Sequence, residues 1–280
     1  MLAATAALLL LACGGSSHPG PGGGGDIWIY DLARGTLARL TVEGSNSSPA
    51  WTPDGRRVAF HSLRGTKHGI YLSPADSSGK PELLLESDTL VTPTSWTRDV
   101  KTLFYTQGDV GGNQQICTLP GPGSDGQRKP RVFLQTSFQE SDAQISPDGR
   151  WVAHVSTESG MQEIYVRPYP GPGEKVPLST GGGFQPRWSP NGRELFYVAG
   201  QIGHNDNSLM AVDVQTASAF RAGQPRAFFR FQAFPTYDVA PDGKCFLRGV
   251  VESGGQAAVP KLEAVVDWFE DLRRRAPLKK

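Results

Sequence analysis

Along the chain, apolar residues come in short runs separated by Pro, Asp, Asn and Gly. The clearest runs are Val58-Ala59-Phe60, Leu103-Phe104-Tyr105, Val152-Ala153-His154, Leu195-Phe196-Tyr197 and Phe246-Leu247-Arg248. Mostly apolar residues in consecutive positions predict strands covered on both faces, as in a sheet packed between two other sheets. A second strand follows a Gly-containing turn in several units: Gly69-Ile70-Tyr71-Leu72, Gln115-Ile116-Cys117-Thr118, Glu163-Ile164-Tyr165-Val166 and Leu209-Met210-Ala211-Val212. A last short strand, such as Glu82-Leu83-Leu84-Leu85 or Arg131-Val132-Phe133-Leu134, closes the unit.

The units are copies of one repeat. Trp51-Thr52-Pro53-Asp54-Gly55-Arg56 recurs as Trp96-Thr97-Arg98-Asp99-Val100-Lys101, Ile145-Ser146-Pro147-Asp148-Gly149-Arg150, Trp188-Ser189-Pro190-Asn191-Gly192-Arg193 and Val239-Ala240-Pro241-Asp242-Gly243-Lys244. Four antiparallel strands per repeat of about 45 residues is the arithmetic of a propeller blade. The turn chemistry accounts for the signature. Proline presets φ, Asp or Asn bonds the local backbone, and Gly supplies φ > 0 before the next strand. Turn formation is thus a sufficient reason for the Asp column, without carboxylate chemistry or calcium. Trp51, Trp96 and Trp188 are expected at equivalent, buried inner-strand positions.

The Trp-Ser/Thr-Pro-Asp-Gly-strand repeat resembles the TolB-type, WD-like propeller repeat. The stretch from Asp26 to Leu272 is also similar to the extracytoplasmic propeller of some bacterial serine/threonine protein kinases. That likeness is carried by Asp26-Ile27-Trp28-Ile29-Tyr30-Asp31-Leu32-Ala33-Arg34-Gly35-Thr36, Pro168-Tyr169-Pro170-Gly171-Pro172-Gly173, Ser179-Thr180-Gly181-Gly182-Gly183 and Val265-Val266-Asp267-Trp268-Phe269. The resemblance implies an all-β propeller and a role in sensing or in envelope protein contacts. The 255 residues from Asp26 to Lys280 hold about 5.7 repeats, so five to six blades are expected and the count is not whole. Asp26 to Thr41 reads as the outer half of a blade; either its inner half is missing or it completes the C-terminal blade. The tail reads as a strand to about Asp267, then a short basic helix ending near Arg275.

The first residues raise a separate question. Met1 to Ala12 is an apolar run shorter than the roughly 20 residues that span a bilayer. Leu10-Leu11-Ala12-Cys13 resembles the lipobox of bacterial lipoproteins, which would make Cys13 the lipid-bearing residue. No Lys or Arg precedes Arg34, so a misplaced start or the stub of a longer membrane-anchored chain stays open. The domains expected are a signal- or lipobox-like segment over 1–13, a Gly/Pro/Ser-rich tether over 14–25, a propeller over 26–275 and a basic tail over 276–280.

Composition narrows the function. The chain has 280 residues with 28 Lys+Arg against 27 Asp+Glu, so no net field attracts a nucleic acid. Three cysteines are too few and too scattered for a disulfide framework or thiolate zinc site. Neither a Gly-x-Ser-x-Gly elbow nor the motif set of a kinase occurs, so no cofactor, metal or catalytic residue is assigned. His154 and Cys117 occupy core columns and read as packed strand residues. Function in a propeller resides in rim loops or the funnel, where His61, Arg64, Glu140, Asp142 and Glu158 are the polar candidates. The reading is a non-catalytic, monomeric propeller of the cell envelope, periplasmic or at the outer surface, binding a protein or small ligand. Its only membrane contact would be a lipid at Cys13. The alternative is an accessory propeller of a serine/threonine kinase or a prolyl-oligopeptidase-type peptidase whose catalytic domain is not in this chain.

Overall fold

The structure, a computed structural model, describes residues 8–13, 25–31, 34–109, 111–123, 128–202, 207–231, 237–240, 243, 245–251 and 260–266. Those residues form six antiparallel sheets, blades A to F in chain order. Blade A is β1 (Leu8–Cys13), β2 (Asp26–Asp31) and β3 (Thr36–Arg39). Blade B is β4 (Ser45–Trp51), β5 (Arg57–Arg64), β6 (Lys67–Pro74) and β7 (Glu82–Ser87). Blade C is β8 (Val91–Trp96), β9 (Thr102–Gln107), β10 (Gln115–Pro120) and β11 (Arg131–Leu134). Blade D is β12 (Glu140–Ile145), β13 (Trp151–Ser156), β14 (Glu163–Pro168) and β15 (Val176–Pro177). Blade E is β16 (Gly183–Trp188), β17 (Glu194–Ala199) and β18 (Ser208–Gln215), with β19 (Arg221–Ala222) and β20 (Arg226–Arg230) both on β18. Blade F is β21 (Tyr237–Val239), β22 (Cys245–Val251) and β23 (Pro260–Val266). First strands of successive blades pack together, β4 on β8, β8 on β12, β12 on β16 and β16 on β21, which is a propeller built around an axis.

The repeated turn closes in the same way in four blades. The Thr52 hydroxyl donates to Asp54 at 2.6 Å, and Asp54 accepts the backbone N–H of Arg56 at 3.0 Å. Thr97 with Asp99, Ser146 with Asp148 and Ser189 with Asn191 repeat the bond. These bonds hold the carboxyls of Asp54 and Asp99 below their ordinary range, with Thr52 and Thr97 the largest causes. The next residue takes φ of 66° at Gly55, 73° at Gly149 and 68° at Gly192, and Val100 is forced into the same region at 61°. Pro241 and Asp242 lie outside the described residues; Gly243 has φ of 67° and its N–H donates to the Ala240 carbonyl.

The core sits between blades. Phe60, Tyr105, His154 and Tyr197 form one buried column on the second strands, paired across the sheet with Tyr71, Cys117, Tyr165 and Met210. Trp96 and Trp188 are buried as expected, but Trp51 is only half-buried. The difference has a structural cause. Trp188 donates its indole N–H to the Gln144 carbonyl on the first strand of blade D, whereas Trp51 faces blade A, which has no such strand among the described residues.

Blade A nevertheless has an inner strand. With Ile27 in the place of Ile70, the pairs from Leu8↔Asp31 to Cys13↔Asp26 match Arg57↔Pro74 to Ser62↔Gly69, so β1 occupies the second-strand column. Blade A therefore forms a sheet of its own, and no strand of it pairs with blade F among the described residues. The predicted tail strand is β23; the predicted C-terminal helix lies outside the described residues, among which no helix occurs. No helix of the described residues is long and apolar enough to cross a membrane.

Candidate functional site

First strands run from one face of the propeller to the signature turns on the other. The first face therefore carries the hairpins between second and third strands and the connections from each blade to the next. All five sequence candidates map to this face, in two separate groups. His61 and Arg64 are on β5 of blade B. Glu140 and Asp142 are on β12, with Glu158 beyond β13, in blade D. No hydrogen bond or ion pair joins the two groups among the described residues.

In blade B the Ser47 hydroxyl lies 3.0 Å from His61 Nδ1, and His61 Nε2 lies 2.9 Å from His68 Nδ1. Burial, then the neighbouring His68, lowers the His61 pKa to about 4, so the ring is neutral at physiological pH. Arg64 pairs with Glu43 at 3.2 Å and lies over the Tyr71 ring. In blade D, Glu140 is buried and accepts hydrogen bonds from Thr136 and Ser156, with His154 Nδ1 3.2 Å from its other oxygen. Glu158 pairs with Lys175, which holds its carboxyl below the ordinary range. Glu140 Oε2 and both ring nitrogens of His154 are buried without a hydrogen-bond partner, and the two groups are local networks that do not converge on one another. No group of three or more His, Cys, Asp or Glu able to hold a metal ion occurs among the described residues.

Towards the axis, the first strands carry a polar seam that single-residue inspection missed. Arg187 of blade E lies 3.4 Å from Asp142 of blade D and 3.7 Å from Asp238 of blade F. Burial works against the charged guanidinium, yet the two carboxylates outweigh it and raise the Arg187 pKa. Tyr237 donates its hydroxyl hydrogen to the Gln185 carbonyl at 2.8 Å. Ser48, Asp142 and Gln185 share a left-handed φ of 53°, 48° and 54° at equivalent bulges of β4, β12 and β16. The column just before the signature Trp would have signalled the seam: it reads Ala50, Ser95, Gln144, Arg187 and Asp238.

The same face bears the exposed apolar side chains of the loops. Val42 and Phe138 sit on connections between blades, Met161 and Ile202 on second-to-third-strand hairpins. The other large exposed apolar residues among those described, Leu37, Leu83 and Val132, are not on loops but are the second residues of outer strands, which start on the side of the signature turns.

Repeated antiparallel sheets arranged about an axis and a shared turn network define a β-propeller of the WD-like class. The chain belongs to the TolB beta propeller domain family, which its residues 22–237 match. It is similar to the Tol-Pal system protein TolB of Geobacter sulfurreducens, 33% identical over 115 residues, which are 41% of this chain and 26% of that protein. Among solved structures, TolB from Acinetobacter baumannii superposes with a TM-score of 0.71 at 18% identity, over 92% of this chain and 60% of that one. A TolB-type protein from Agrobacterium tumefaciens gives 0.61 at 20% identity, over 85% of this chain and 83% of that one. The chain thus spans about a quarter of the Geobacter relative and 60% of the Acinetobacter chain.

Proposed function

We propose that this propeller is a non-catalytic docking module of the cell envelope that receives a protein partner on its loop face. The observation that carries the reading is the one-sided placement of Val42, Phe138, Met161 and Ile202. Apolar side chains exposed on loops of one face, with the charged pairs Arg64–Glu43 and Lys175–Glu158 beside them in sequence, have the residue make-up of an interface. The relative named for the Tol-Pal system supports an envelope location and a protein partner. Fold alone does not decide between scaffold and enzyme, since propellers host both; the absence of a converging nucleophile, base and oxyanion site among the described residues favours the scaffold.

A lipid at Cys13 is not part of this reading, because cleavage before Cys13 would remove the rest of β1. The test places a photo-crosslinking side chain at Phe138 or Met161, and a control at Arg56 among the signature turns, in the full-length protein in its host envelope. Discrete adducts from the loop face alone are expected. Equal labelling from Arg56, or none from either face, overturns the assignment.

A further inference from the structure

On the side away from the loop face, a recess of about 340 Å³ lies at the edge of blades C and D. Its walls are Phe133 of β11, Arg167 at the end of β14, and Pro168, Pro170 and Pro172 of the following loop, with the backbone of Gly171 and Gly173 between them. This is the proline-rich stretch that the sequence reads as a hairpin connection, and it does connect β14 to β15. The volume falls within the roughly 300–1,000 Å³ of small-ligand sites, and the walls combine ring carbons with backbone polar groups and one charged side chain.

Two features make it a built recess. The loop is pinned: Tyr169 donates its N–H to the Arg150 carbonyl, and its ring packs against Phe104 and Phe133 with centroids 5.0 and 5.5 Å away. A side chain at Gly173 would begin 2.3 Å from the Pro168 ring, so the loop's path requires glycine there. The second feature is Arg167 itself. Its Nε is buried without a hydrogen-bond partner, and it joins none of the ion pairs among the described residues. Arg167 is thus a cation on the recess wall with no anionic partner among the described residues, and the planar fork of a guanidinium matches a carboxylate.

We propose that this recess binds a carboxylate carried on a small apolar body, with Arg167 pairing the carboxylate and the proline and Phe133 rings covering the body. A free organic acid and the C-terminal residue of a peptide present the same chemistry. The site is separate from the loop face, so its failure leaves the docking reading untouched.

The experiment titrates the full chain with phenylacetate, phenylacetamide, and Gly-Gly-Phe with a free or amidated C-terminus, followed by calorimetry and amide shifts of Gly171 and Gly173. Phenylacetate is expected to bind at least about tenfold more tightly than phenylacetamide, equivalent to 1.4 kcal/mol or more. The Arg167→Gln variant should lose that preference, and Arg167→Lys should keep part of it with an unchanged melting temperature. Binding of the free-acid peptide as well assigns the site to chain termini; binding of phenylacetate alone assigns it to small acids. Equal affinity for acid and amide, an unaltered Arg167→Gln titration, or no binding at millimolar concentration overturns the proposal.

Discussion

Arg187 on β16 reaches back 3.4 Å to Asp142 on β12 and forward 3.7 Å to Asp238 on β21, so one guanidinium ties three successive blades together near the axis. Backbone ladders end at each blade; between blades only isolated backbone bonds run, such as those from the N–H groups of Asn46, Glu140 and Gly183 to the carbonyls of Gly25, Gln114 and Gln162, and side chains add to them. Replacing Arg187 with Gln leaves Asp142 without its cation in a partly buried place. Because the pair is about a quarter exposed, the expected loss is about 1–2 kcal/mol rather than that of a fully buried ion pair. Urea denaturation of Arg187→Gln, Asp142→Asn and the double variant would read it, with a coupling above about 0.5 kcal/mol expected. Strictly additive losses would show that the seam is an incidental contact.

The turn signature makes its own stability prediction. Val100 stands where four other blades have Gly (Gly55, Gly149, Gly192 and Gly243), at φ of 61°. A β-branched residue in that region costs about 1–2 kcal/mol, which Asn largely avoids. Val100→Asn should therefore be neutral to stabilising by up to about 1 kcal/mol, after loss of some packing of the half-buried side chain. Gly149→Val should destabilise by about 1–2 kcal/mol. Thermal or urea unfolding of both variants checks this, and destabilisation by Val100→Asn comparable to that of Gly149→Val would contradict it.

His61 gives a pH dependence with a definite sign. Its pKa is about 4 in the folded protein against 6.5 for an ordinary histidine, owing to burial first and His68 second. Between those values the unfolded chain binds a proton that the folded chain refuses, so His61 costs nothing above pH 6.5 and stability falls as pH drops towards 4. The difference of about 2.5 units bounds the effect at about 3 kcal/mol. Unfolding of the wild type and His61→Asn at pH 7.5 and 4.5 is the measurement. The variant should show a flatter decline, and parallel declines would mean that other groups carry the acid sensitivity.

Much of the architecture was legible because the repeat writes the same turn in five of the six blades. Pro147-Asp148-Gly149 is local chemistry, and local chemistry survives in sequence; so does the buried column of Phe60, Tyr105, His154 and Tyr197. What escaped was set by relations between blades. Arg187 looks like one more surface arginine until the column Ala50, Ser95, Gln144, Arg187 and Asp238 is aligned. Trp51 resembles its two counterparts in sequence, and its partial exposure follows from what blade A lacks beside it. The candidates His61 and Glu140 share a face but not a site, since blade C lies between the two blades that carry them.

The apolar run at the N-terminus yields the last prediction. Leu8–Cys13 pairs with β2 in the register that second strands use against third strands elsewhere, and a processed lipoprotein would keep only Cys13 of those residues. The two fates of one segment exclude each other. If β1 belongs to the working protein, β2 has a ladder on both edges, with β1 on one side and β3 on the other. Removing residues 1–12 would then turn β2 into a sheet edge, and edge amides exchange through local opening far more readily than central ones. Hydrogen exchange of β2 amides should accelerate by about tenfold or more in the shortened chain, while amides of β13 and β17 keep their protection. Intact mass of protein from the native host supplies the complementary measurement, with residues 8–13 expected to be present and Cys13 unmodified. A mature chain that starts at a diacylglyceryl-Cys13, together with unchanged exchange in β2 of the shortened protein, would assign the segment to export and remove it from blade A.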